Sequence, residues 1–387
     1  MSGIGCFALR KKQNFPFIFL ILIIFFLVIQ SAALSISSNE LQFGKPYSNS
    51  DDAIYVVTSD LIASALSIGD FRGALDVSRI NQPGYVWLLG GMFYIFQADN
   101  AIDQVLIAIA LNAFFLSLII LLAVNYSLER GCKKLLIFIL LIFICQDSVI
   151  SIAAVVRKDL IIEFLVMAIY LSSIKLKNYK SFRNILILLV LLFFLGLFRL
   201  SVGLIFILLT FLYYIYIQKK ISIQSIVFAV AISLVAYGGY ILNQSYTTLG
   251  ASLVEIPGGQ YSSYELMGNS KIIYDLPFIG PALWYFVNPL FINISDIYSR
   301  YTLIQGTIIL ISSELFIWLA YFSIVSVVFS SKIRLMQFKG LLFMIFIILI
   351  ILQFGGANAE PRHFSMAYPF LLLLCISYFS SAKSITS

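Results

Sequence analysis

Charge is scarce in this chain. Asp, Glu, Lys and Arg make up 11% of its 387 residues, whereas 61% are apolar. Soluble domains of ordinary composition carry about 25% charged residues, so that class is excluded. Histidine occurs once and cysteine four times, at Cys6, Cys132, Cys145 and Cys375. No His/Cys cluster points to zinc. Strand-type alternation is missing too: runs such as ILILLVLLFFLGLF, residues 185–198, are apolar on every face. A membrane β-barrel alternates apolar and polar residues over roughly ten-residue strands and is therefore excluded.

What is present is a series of apolar runs of about 15 to 25 residues, the length a helix needs to cross a bilayer. They predict spans near 16–35, 103–125, 135–156, 160–174, 184–198, 201–217, 221–242, 303–330, 340–354 and 364–380. The fold class read from this pattern is all-α, a polytopic transmembrane helical bundle of about ten spans with extracytoplasmic loops and surface-lying helices. Its parts are an N-terminal transmembrane module over 1–242 with a first outer loop at 36–102, a second large outer loop at 243–302, and C-terminal transmembrane helices over 303–387.

The net charge of +7 reports orientation rather than nucleic-acid binding. Basic clusters at Arg10 to Lys12, Arg130 to Lys134, Lys175 to Arg183, Lys219 and Lys220, and Lys332 to Lys339 fall between the apolar runs. Placing them all in the cytoplasm satisfies the positive-inside rule with both termini inside. A bacterial inner membrane fits the compact loops. The cysteines then fall in cytoplasmic or membrane segments, where no extracytoplasmic disulfide forms. Glu129 becomes the only acidic residue in the cytoplasmic loops. The rule places little weight on Asp and Glu, so the segregation of carboxylates to the other side points to chemistry outside.

The first outer segment, Ser37 to about Asp103, holds eight carboxylates, among them the adjacent Asp51 and Asp52. It also holds the apolar piece GYVWLLGGMFYIF, residues 84–96, predicted to lie along the membrane surface with Tyr85, Trp87 and Tyr94 at the interface. Later outer turns present Arg157, Lys158 and Asp159, with Glu163 one helical turn on; then Arg199; then Glu360, Arg362 and His363. Each has a plain structural reading. An acidic pair in a polar loop is solvated surface, and Arg157 to Asp159 is a solvated turn with Asp159 as helix cap. Arg199 snorkels to headgroups, and His363 packs at the interface. Asp147, Glu163 and Glu314 lie within or near spans, where ionisable groups are costly and functional by default.

The order of these features resembles the GT-C superfamily of polytopic glycosyltransferases, which includes protein O-mannosyltransferases and the lipid A aminoarabinose transferase. The matching residues are DDAIY at 51–55, SIGDF at 67–71, NQPGYVWLLGGMFYIF at 81–96, Asp159 opening the helix after the third span, Arg199 at a hairpin turn, and RHFSMAYPFLLLL at 362–374. This chain departs from the pattern in its basic RKD at 157–159, in His363 where Tyr is usual, and in lacking a large soluble C-terminal domain. The resemblance implies transfer of a sugar from a polyprenyl-phosphate-linked donor to a glycan or lipid acceptor outside the cytoplasm, in cell-surface polysaccharide or lipopolysaccharide synthesis. Asp51 aligns with the catalytic carboxylate, which acts as base. Asp52 orients the acceptor or shares that role. Asp159 positions the site, or joins Asp51 around magnesium or manganese, the ions that oxygen ligands suit. Arg157, Lys158, Arg199, Arg362 and His363 are the substrate-binding candidates, with arginine the better fork for phosphate.

Two other functions stay open. A polysaccharide polymerase or ligase acting on a diphosphate-linked oligosaccharide would rely on the outer-loop arginines. A flippase or transporter needs polar residues along a mid-membrane path, and few charges lie at mid-span.

Overall fold

The computed structural model describes residues 50–78, 83–129, 135–154, 156–178, 181–199, 301–329 and 366–382, with isolated positions between 21 and 28 and at 203, 206, 298 and 345. The side chains of residues 50–53 lie outside the description. Among the described residues the chain is helical, with no strands. The helices are α1 Ser50–Ser67, α2 Phe71–Ser78, α3 Pro83–Phe96, α4 Ala101–Glu129, α5 Leu136–Ile144, α6 Asp147–Ala153, α7 Asp159–Asn178, α8 Phe182–Phe198, α9 Leu303–Phe329 and α10 Tyr368–Ala382.

Among the described residues, two helices are long and apolar enough to cross a membrane. They are α4, with 29 residues, and the 24-residue stretch Leu303–Ser326 of α9. At 1.5 Å per residue they extend about 44 and 36 Å, beyond a hydrocarbon core of about 30 Å. The predicted spans 16–35, 201–217, 221–242 and 340–354, and the second outer loop, lie largely outside the described residues.

The predicted span 135–156 is not one helix. α5 stops at Ile144, Gln146 takes an extended backbone (φ −77°, ψ 144°), and α6 restarts at Asp147. The cause is local. Gln146, Asp147 and Ser148 interrupt the apolar run, and the Asp147 N–H freed by the break donates to Ser313 Oγ of α9 at 2.9 Å. Backbone that leaves a helix inside a bundle needs such substitute partners.

Helix boundaries follow short-range chemistry. α1 ends at Gly69, whose φ of +76° admits the paired bonds Asp70 N to Ala65 O (2.9 Å) and Gly69 N to Leu66 O (3.1 Å), a Schellman motif. Asn100 caps α4. Its Oδ1 accepts from Asp103 N at 2.9 Å, and its Nδ2 donates back to Asp103 Oδ2 at 2.7 Å. Thr302 and Gln305 form the corresponding T-x-x-Q box at the start of α9.

One continuous apolar core joins the helices. α3 lies against α1, α4 and α8, while α10 packs on α4, α5, α7 and α9. Aromatic contacts mark the crossings, with Tyr170 to Phe370 at 5.5 Å and Phe143 to Phe316 at 5.4 Å between ring centroids. The Tyr126 and Ser377 hydroxyls meet at 2.8 Å between α4 and α10.

Candidate functional site

The described part of residues 50–96 forms the three helices α1 to α3, and three contacts fix α1 among its neighbours. Gly90 of α3 lets α1 approach so closely that a Cβ there would lie 2.7 Å from Ile62 Cγ2 and 2.8 Å from the Ser59 carbonyl oxygen. Gln104 of α4 donates to Asp60 Oδ1 at 2.7 Å. Lys158 Nζ donates to the Tyr55 hydroxyl at 2.8 Å and stands 5.2 Å from that ring's centroid. Tyr85 of α3 meets the same ring edge-on at 5.1 Å. Tyr85 was expected at the membrane interface; it is fully buried instead, because its neighbour across the helix crossing is Tyr55. Tyr94 is exposed and Trp87 half-buried.

The solvated-turn reading of Arg157 to Asp159 is overturned. Lys158 is 7% exposed and Asp159 6%. Ile162 N–H bonds Lys158 O at 3.1 Å, so Lys158 takes the cap position and Asp159 is the first residue of α7. A carboxylate there suits the positive end of the helix. Glu163, one turn later, is 1% exposed. Arg157 remains half-buried.

Asp51 and Asp52 occupy the first turn of α1, while their side chains lie outside the described residues. Asp51 precedes Tyr55 by four residues and so shares its helix face. The hydrogen bond from Lys158 thus links α1, one turn after the acidic pair, to the residue that precedes α7. Arg199 caps the C-terminus of α8, with its N–H on Leu195 O at 2.8 Å. Two residues earlier, the Leu197 backbone passes 3.0 Å from where a Cβ on Gly84 would stand, so the Arg199 end of α8 lies at the start of α3. Arg362 and His363 lie outside the described residues.

Tyr55 was noted in sequence only as the aromatic of DDAIY. Its contact with Lys158 spans 103 positions, and no local signal announces it. A second polar group surrounds Tyr368. The Tyr368 hydroxyl donates to Ser148 Oγ at 3.0 Å and lies in electrostatic reach of Glu163 and Asp147. The polar triplet at 146–148 inside an apolar run was its available signal. Glu314 meets Trp318 Nε1, which donates to Oε2 at 3.1 Å.

Gln146 is 1% exposed, and its side-chain Nε2 has no hydrogen-bond partner among the described residues. A buried donor left unmade costs about 1–3 kcal/mol. Gln146→Met, similar in volume and free of the amide, is expected to raise stability by an amount in that range. A higher thermal unfolding midpoint in detergent checks it.

Among the described residues no group of three His, Cys, Asp or Glu side chains is close enough to hold a metal ion. The expected magnesium or manganese position between Asp51 and Asp159 involves a side chain outside that set. No protein-family model matches the chain, and no curated protein or solved structure matches it either.

Proposed function

We propose that this chain is a multi-pass membrane glycosyltransferase of GT-C type, acting on the outer face of a bacterial inner membrane with both termini in the cytoplasm. About ten spans carry it, and α1 to α3 form the extracytoplasmic unit beside the reaction. The donor is a polyprenyl-phosphate-linked sugar and the acceptor a glycan or lipid hydroxyl. One observation carries the reading. The helix that opens on Asp51 and Asp52 is joined through Tyr55 to Lys158, the residue before Asp159. The resemblance assigns roles to both acidic elements, and this hydrogen bond between Tyr55 and Lys158, each a near neighbour of one of them in sequence, supports placing them in one site.

The chemistry follows from those groups. Asp51 accepts the proton of the acceptor hydroxyl as its oxygen attacks the anomeric carbon from the face opposite the phosphate. The bond from the anomeric carbon to the phosphate oxygen breaks with inversion. Polyprenyl phosphate leaves as an anion, which needs cations rather than a general acid. Arg199, Arg362 and Arg157 supply them, the guanidinium fork matching phosphate oxygens. Asp52 orients the acceptor, and Asp159 holds the shape of the site from the start of α7.

Glycan profiling of cells lacking the gene, beside cells expressing Arg199→Ala or Arg362→Ala at normal protein levels, tests the assignment. Loss of one sugar from a surface glycan in the deletion, with partial loss in each arginine variant, supports it. An unchanged sugar composition with shortened polymer chains would move the chain to the polymerase class.

A further inference from the structure

Tyr55 is the side chain through which α1 is hydrogen-bonded to the start of α7, and its surroundings define what it does. Lys158 Nζ donates to its phenol oxygen at 2.8 Å, and Tyr85 packs against its ring at 5.1 Å with an interplanar angle of 86°. Tyr55 is 6% exposed, Lys158 7% and Tyr85 0%. An aromatic residue one turn after an acidic pair invites the role of a stacking platform for a sugar ring. That role needs an open ring face, and this ring is enclosed.

Its phenol oxygen instead pins α1 to the residue before Asp159. Asp51 lies one turn away on the same face, about 6 Å along the helix axis. A constraint at Tyr55 therefore fixes the turn on which the proposed base sits. Farther along α1, Gly90 and Gln104 hold Ser59, Asp60 and Ile62. Those contacts secure the middle of the helix, and among the described side chains Tyr55 is the one hydrogen-bonded from α1 to the residue before α7.

We infer that Tyr55 and Lys158 are a positioning pair that holds the start of α1, and with it Asp51, against the start of α7. The inference rests on the transferase reading. Lys158 then acts through Tyr55 and not on the donor phosphate. Loosening the pair slows the chemical step while donor binding stays as it is. A displacement of about 1 Å at a reacting group is enough to cost about 100-fold in rate.

The test uses the full-length purified protein with a radiolabelled polyprenyl-phosphate monosaccharide and a hydroxyl acceptor, comparing Tyr55→Phe, Lys158→Met, the double variant and Lys158→Arg, with Asp51→Asn alongside. Tyr55→Phe keeps the ring against Tyr85 and removes only the hydroxyl. The expected result is a kcat lowered about 10- to 100-fold in Tyr55→Phe and in Lys158→Met, an unchanged donor KM, a double variant no slower than either single, and substantial recovery in Lys158→Arg, which keeps a donor. A raised donor KM in Lys158→Met with Tyr55→Phe at the wild-type rate would return Lys158 to the phosphate and overturn the pairing. Wild-type rates in both singles beside an inactive Asp51→Asn would overturn the inference alone. A fully active Asp51→Asn would overturn the transferase reading beneath it.

Discussion

If the proposed transferase uses Asp51 as its base, Asp51→Asn is expected to lower the rate of sugar transfer by about 10²- to 10⁴-fold, the contribution of a positioned general base, while the protein accumulates at its normal level. The amide has nearly the volume of the carboxylate but cannot take up the acceptor proton. Stability is little affected, because α1 is held by contacts that do not involve Asp51: Tyr55 on Lys158, Asp60 on Gln104 and the close crossing at Gly90. The favourable placement of a carboxylate at a helix N-terminus, worth about 0.3–1 kcal/mol, is lost. Asp51→Glu keeps a proton acceptor and retains part of the rate. Steady-state kinetics on purified protein, with unfolding midpoints measured in parallel, separate this outcome from misfolding.

Gly90→Ala destabilises the protein by about 1–3 kcal/mol, the usual cost of overpacking a filled interior, and lowers activity with it. The added methyl would stand 2.8 Å from the Ser59 carbonyl and 2.7 Å from Ile62 Cγ2. Backbone at Ser59 cannot swing aside as a flexible side-chain end can, so α1 must move away from α3. That shift is expected to disturb the hydrogen bond between Tyr55 and Lys158 farther up the same helix. Gly91 is the internal control. A Cβ there meets nothing within 4 Å, and Gly91→Ala is expected to be neutral or to stabilise α3 by about 0.5–1 kcal/mol. Unfolding midpoints of the two variants, read beside their transfer rates, check both expectations.

These two cases show what was legible in the chain. The unbroken apolar runs behind α4 and α9 announce helices long enough to cross a membrane, whereas their capping residues Asn100 and Thr302 emerge only from the structure. The break between α5 and α6 was not legible, because the apolar residues on both sides of Gln146 outweigh three polar ones in any span-length reading. Glycine at 90 reads as an ordinary small residue until the helix that crosses it is known. The acidic pair stood out through charge contrast alone. The tie between Tyr55 and Lys158 depends on tertiary packing that no local pattern encodes, and the burial of Lys158 and Asp159 follows from that packing rather than from their polarity.

The account turns on what leaves when the sugar moves. The most direct measurement incubates purified full-length protein with a radiolabelled polyprenyl-phosphate monosaccharide and an acceptor, and identifies the lipid released, with Asp51→Asn in a parallel reaction. The prediction is one polyprenyl phosphate released per sugar transferred, and near-complete loss of both products in Asp51→Asn. Turnover confined to diphosphate-linked oligosaccharides, with Asp51→Asn as active as the wild type, would contradict it.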